Sequence, residues 1–313
     1  MPTPIFQEPL ADGDENDDSP DEATRETSVQ RSALLGFSDL SRSAVVAFRK
    51  DWQAMPDDER LALIEALVDF AEQSIEVNFN RVFREALNDE IPRIRKLAID
   101  GLWEDDAIDL LPVLLSMLRT DSDIDVRAEA AGALVRFTSN DSALRASGAE
   151  ELVGALLDVA NDEQDNALVR RRVIETLGPL ADDGRVELLL RRSYADDDQA
   201  IVCGAIAAMG FSGQSRWIPE IERAIASDDA ELRFAAAIAA GSIGDSDLVQ
   251  SLASLVDDDD GEVRYAAIGS LGHIGGQGAL RVLRNLRERN GESDEVIEAA
   301  FEEALLLTDP LAN

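Results

Sequence analysis

The same phrase returns six times along this chain: an aliphatic anchor, usually followed by Arg, then small residues four and seven places on and an apolar residue at eight. It reads IRKLAIDGLW from Ile94, VRAEAAGALV from Val126, VRRRVIETLG from Val169, IVCGAIAAMG from Ile201, LRFAAAIAAG from Leu232 and VRYAAIGSLG from Val263. The anchors are 32, 43, 32, 31 and 31 residues apart. A period of this length marks stacked two-helix units, none of which can bury its apolar face alone, rather than one closed globule. The chain is therefore read as all-α, a solenoid of stacked repeats.

Position by position, each unit's first helix has a start, a buried face and a stop. Three residues before the anchor stand Asp123, Asn166, Asp198, Asp229 and Asp260, whose side-chain oxygens suit the N-cap. The first unit has Ile91 there and compensates with Pro92, which fits the first helical position. Small residues at four and seven let helices of adjacent units approach closely. At nine, Gly178, Gly210, Gly241 and Gly272 are expected to end the helix in the left-handed conformation. A second helix follows, marked by Leu110, Leu114 and Leu118 in the first unit, by Ile218, Ile221 and Ile225 in the fourth, and by Leu280, Leu283 and Leu286 in the sixth. The long step of 43 places its surplus in FTSNDSALRASGAEE, read as an enlarged loop or extra short helix between the second unit's two helices.

These patterns divide the chain into four parts. Residues 1–30 carry nine acids against Arg25 alone, a local net charge of −8, with too little apolar surface to offset the entropy of ordering. They are expected to form a disordered acidic tail. Residues 31–88 read as a helical N-terminal cap and degenerate opening repeat, 89–293 as the six repeats, and 294–313 as a C-terminal capping helix and tail. Terminal repeats are atypical because one face meets water instead of a neighbour.

Charge limits the function classes. The formal net charge is −35, and 37 Asp and 27 Glu face 27 Arg and only two Lys, Lys50 and Lys96. Nucleic-acid binding requires a basic face to displace counterions, so no nucleic-acid partner is expected. The acidity fits either an ordinary solvated surface in an Arg-favouring genome or a salt-adapted protein whose carboxylates repel less when screened. No apolar run reaches the length of a membrane span and the N-terminus lacks the pattern of a signal peptide, so a cytoplasmic protein without membrane attachment is expected. Cys203, the single cysteine, lies within an apolar repeat helix and reads as a small buried hydrophobe.

On these residues the chain resembles the HEAT-repeat superfamily, and most closely its short-period bacterial branch, the type first associated with phycobilin lyases. The shared motif is Asp-x-x-Val-Arg-x-x-Ala-x-x-x-Leu-Gly, seen most completely as DGEVRYAAIGSLG from Asp260 to Gly272. The resemblance covers roughly residues 57–307 and departs from the family pattern at Val202, Ile91 and the long second unit. It implies a right-handed α-solenoid with first helices on the convex side and second helices on the concave side. Resemblance and geometry together imply that Arg95, Arg127, Arg170, Arg233 and Arg264 pair with Asp residues of adjacent inter-repeat loops.

Little here carries chemistry. His273 is the only histidine, so neither a multi-histidine metal site nor the several His-Glu pairs of HEAT-like iron hydroxylases can be built; its place suits a polar turn. The runs Asp196–Asp198 and Asp257–Asp260 lack the spacing of a calcium loop, and the glycines of GHIGGQG lack the preceding strand of a dinucleotide site. No catalytic, cofactor or metal residues are nominated, and no enzyme activity is expected. Trp103 and Trp217 are weighed as partner contacts because Trp is enriched at interface hot spots, against packing in the core or at an edge. The reading is a non-enzymatic scaffold or adaptor that binds a protein, one with basic patches, on its concave face. The alternative that the resemblance implies is a non-catalytic or chromophore-handling subunit of an enzyme complex such as a bilin lyase.

Overall fold

The computed structural model describes residues 32–138, 149–290 and 295–308; the acidic tail and most of the enlarged segment of the second unit lie outside them. The chain forms two compact units, 1–85 and 86–313. In the first, α1 (Arg42–Ala54) begins at Ser41, whose hydroxyl accepts from the Ala44 amide. Next comes α2 (Asp57–Gln73), with Asp57, Asp58 and Glu59 in its positive first turn. The unit ends on α3 (Asn80–Ala86). Phe48, Trp52, Ile64, Leu67 and Phe79 are buried, with the Phe48 and Trp52 rings 5.5 Å apart. Val46, on the same helix, is exposed.

The second unit is the repeat stack. In chain order it runs α4 (Pro92–Gly101) and α5 (Leu111–Thr120), α6 (Ile124–Ala133) with α7 (Val135–Thr138) and α8 (Ala149–Asn161), then α9 (Ala167–Leu177) and α10 (Gly184–Ser193). It continues with α11 (Gln199–Phe211) and α12 (Ile218–Ile225), α13 (Ala230–Ile243) and α14 (Val249–Ala253), and α15 (Gly261–Ile274) and α16 (Gly276–Asn290), and closes on α17 (Glu295–Thr308). The side chains of Asp123, Asn166, Asp198, Asp229 and Asp260 each accept from a first-turn amide of the helix that follows. Such a cap contributes about 1 kcal/mol. The anchors Ile94, Val126, Val169, Ile201 and Val263 are fully buried, and Leu232 is half-buried.

The glycines at nine do not end helices in the left-handed conformation. Gly210, Gly241 and Gly272 lie inside α11, α13 and α15, and Gly178 is right-handed. Their role is contact. A Cβ on Gly210 would sit 2.7 Å from the Ala239 Cα, one on Gly241 2.5 Å from the Ser270 Oγ, and one on Gly272 2.8 Å from the Ala300 Cα. In each case the glycine meets the small residue at seven in the next unit, so neighbouring first helices touch backbone to backbone. Ser270 and Thr176, at that same place, donate from Oγ to the Ala237 and Ala131 carbonyls of the preceding helix, both at 2.8 Å. The helices stop later, at Gly244 with φ +71° and at Gly275 with φ +65°, where a left-handed residue requires glycine.

Consecutive second helices, spaced by Leu and Ile, stand farther apart than consecutive first helices. At α17 the register set by Gly272 and Ala300 puts Glu298 and Glu302 where earlier units carry a buried apolar residue and the contact glycine.

Ion pairs tie the loops together. Arg95 makes a two-pronged pair with Asp121 at 2.8 and 2.6 Å, Arg127 with Asp165 at 2.7 and 2.5 Å, and Arg233 with Asp258 at 2.7 and 2.8 Å. In each, the partner lies in the loop before the next unit's first helix. Arg170 and Arg264 instead bond main chain: Arg170 Nε to the Ala160 carbonyl at 3.3 Å, Arg264 Nη1 to the Asp258 carbonyl at 2.6 Å. In the fourth unit, where Val202 replaces Arg, Gln199 Nε2 reaches across to Asp229 and Glu231 at 2.9 and 3.0 Å.

Gly210→Ala is expected to destabilise the protein by about 1–3 kcal/mol, because the added methyl meets backbone that cannot yield without moving a helix. Gly269→Ala, also inside α15 but with nothing within 4 Å of its Cβ, should stabilise by about 0.5–1 kcal/mol through helix propensity alone. Chemical denaturation of the two variants checks the contrast. Arg233→Ala should cost about 1–2 kcal/mol at pH 7. The hydrogen bonds from Arg233 hold the Asp258 carboxyl below its ordinary 3.8, against some burial. A depressed carboxylate stabilises the fold above its unfolded pKa and loses that contribution as pH falls through the folded one. The deficit of the variant should therefore shrink below pH 3.8, as read from melting temperature against pH.

Candidate functional site

The first helices bury their positions four, five, seven and eight and all anchors but half-buried Leu232, leaving the residues at two, six and ten half-buried or exposed except Ala128, Glu175 and Cys203. Helical geometry places these on one stripe, since residues four apart share a face. The repeat motif leaves them unconstrained, and they differ from unit to unit. Units four to six present apolar side chains: Phe211, Phe234, Ile238 and Tyr265 are 51%, 37%, 43% and 52% exposed. Units one to three present charge: Lys96, Asp100, Arg171 and the largely buried Glu175.

The first two units lack the contact glycine. Trp103 and Val135 stand at nine, too large for a helix contact, and α4 and α6 end before reaching them. Both side chains turn outward, and Trp103 is 56% exposed. An open pocket of about 540 Å³ lies beside them, lined by Trp103, Val135, Glu129, Arg172, Pro179 and Phe211 among others. Its floor is polar. Glu175 takes Arg171 Nε on one oxygen and Arg172 Nη1 on the other, both at 2.9 Å. Arg136, whose pKa is lowered by burial, donates to the Ala133 carbonyl at 2.8 Å and to the carbonyls of Leu102 and Asp105. Glu129 has its nearest cation, Lys96, at 4.0 Å, and burial followed by the charge of Asp100 pushes its carboxyl above the ordinary range.

The two tryptophans separate. Trp103 lies at the surface of this pocket, whereas Trp217 is fully buried under the guanidinium of Arg191, 4.7 Å from its ring centroid, and so is not a partner contact. The repeat arginines and caps are occupied by the loop bonds described above. Cys203 is buried, its thiol pushed up to about 11 by burial and then by Glu231. His273 lies in the last turn of α15, inside the helix rather than in a turn, with Nδ1 3.2 Å from Glu303 Oε1. Among the described residues no group of three or more His, Cys, Asp or Glu is placed to hold a metal ion, and no helix is long and apolar enough to cross a membrane.

Sequence reasoning missed Phe211, Phe234, Ile238, Tyr265 and Glu129. A signal for them was present. They are the first-helix positions that no packing rule requires to be apolar or charged, yet four of them carry large apolar side chains.

Comparison with known proteins gives a consistent picture. The family profile of HEAT repeats matches residues 80–147, 111–210 and 218–305. No curated protein matches the sequence. Similar solved structures include the CpcE and CpcF complex of phycocyanin lyase from Nostoc sp. PCC7120, at 18% identity and TM-score 0.46, covering 73% of this chain and 94% of that one. They also include Escherichia coli YibA, at 15% identity and TM-score 0.43, covering 85% and 98%. The Kap95:Nup1 complex matches at 15% identity and TM-score 0.49, covering 92% of this chain and 44% of that one.

Proposed function

From the premise that this chain belongs to the HEAT-repeat family, we propose that it is a non-catalytic scaffold that binds a protein partner on the exposed face of its first helices. One observation carries the reading: Phe211, Phe234, Ile238 and Tyr265 are exposed at positions two, six and ten of the first helices, and Trp103, just past the end of α4, is exposed at the pocket that Phe211 also lines. Exposed apolar side chains are ordinary when scattered, but large apolar residues, most of them aromatic, at matching positions of successive repeats fit an interaction surface. The opposing layer offers less, with Leu188 as its most exposed apolar residue. The net charge of −35 favours a partner with basic patches and an association that weakens with added salt. In this reading the loop arginines serve stability and the first-helix face serves recognition.

Affinity capture from the native host, with mass spectrometry, tests the assignment when run on variants. A specific partner should fall about tenfold or more in recovery with Trp103→Ala combined with Tyr265→Ala, and stay unchanged with Leu188→Ala. Equal loss with Leu188→Ala, or none with the aromatic pair, would move the binding surface elsewhere. Visible absorbance in the purified protein would instead support the chromophore-handling role.

A further inference from the structure

We propose that units four to six receive one amphipathic α-helix of the partner, its apolar stripe on Phe211, Phe234, Ile238 and Tyr265 and its Lys or Arg residues over the carboxylates at the edge of that strip. The inference rests on the first-helix face being the binding surface, and it specifies what occupies it.

The strip has a defined form. Phe234 and Ile238 are four residues apart on α13 and share a face. On α15, Tyr265 takes the place of Phe234, while Gly269 takes the place of Ile238 and leaves open space, with nothing within 4 Å of its Cβ. Half-buried Ala207 and Ala235 lie between the larger side chains. Small residues thus accompany the aromatic ones, and exposed Gly269 leaves open space beside Tyr265 on its helix.

Its edge is acidic. Glu231 and Glu262, each in the first turn of its helix, stand three residues before Phe234 and Tyr265 and therefore on the same side. Glu303 borders the other end beside His273, at 3.2 Å. An apolar strip edged by carboxylates fits apolar residues flanked by Lys or Arg. A second copy of this chain fits poorly, because it brings another net charge of −35.

Backbone chemistry selects a helix over an extended segment. An extended peptide laid on a surface needs a strand edge or amide side chains to pair its own N–H and C=O groups. The backbone groups along α11, α13 and α15 are spent within those helices, and the strip presents Phe, Ile, Tyr, Ala and Gly. A partner helix arrives with its backbone bonds already made and offers apolar residues at three- and four-residue spacing.

The test is fluorescence anisotropy with a labelled synthetic peptide of Leu and Lys forming an amphipathic helix of about four turns, against a peptide of the same composition ordered to have no helical stripe. The striped peptide should bind about tenfold tighter or more. Gly269→Gln fills the open space at an exposed helix position, so its melting temperature should not fall while its affinity drops about fivefold or more. Phe234→Ala with Tyr265→Ala should weaken binding similarly, and Glu231→Gln with Glu262→Gln should flatten its salt dependence. Equal binding of the unstriped peptide, or indifference to Gly269→Gln and the aromatic pair, overturns the proposal. If a captured partner still depends on Trp103 and Tyr265 while the peptide ignores every variant, the binding face stands and the helical occupant is wrong.

Discussion

The contact between the glycine nine places after one anchor and the small residue seven places after the next sets the separation of neighbouring first helices. No side chain intervenes at Gly210 against Ala239 or at Gly272 against Ala300, so the helices meet at main-chain distance. Close approach exposes little apolar surface between units and brings Ser270 and Thr176 within reach of the preceding helix's carbonyls. The N-caps and loop arginines then fix the angle at which each helix enters, with Asp121, Asp165 and Asp258 as the loop partners. Second helices, separated by larger side chains, complete the core without setting the spacing.

This constraint also determines which surface is left free. With anchors, small residues and glycines turned inward, each first helix retains one outward stripe, and that stripe is the part the motif leaves open to variation. Where the glycine is present, in units three to six, the helices close up and the stripe is a smooth strip. Where Trp103 and Val135 replace it, their side chains turn outward beside the pocket lined by Glu129, Arg172 and Phe211. Recognition and stacking thus use different residues of the same helices, which is how a repeat can hold its packing while its binding surface changes.

The periodicity made much of the fold legible. The six anchors, the five caps at Asp123, Asn166, Asp198, Asp229 and Asp260, and the closing helix after residue 293 could be read from spacing, because each answers a local requirement of one helix. What could not be read depends on two helices at once. Gly178, Gly210, Gly241 and Gly272 resembled helix stops because glycine often follows a helix, and only the neighbouring Ala208, Ala239, Ser270 and Ala300 show them to be contacts. Trp103 and Trp217 were equivalent in sequence and are opposite in exposure, at 56% and 0%.

Native-state hydrogen exchange tests the central claim, that the first-helix layer is the tightly packed element on which the stack depends. Amides of α11, α13 and α15 should exchange only through the largest openings of the repeat unit, while those of α12 and α14 exchange through smaller, local ones. Slower exchange in α12 and α14 than in α11, α13 and α15 would contradict the account, because the second layer would then be the one that holds the repeats together.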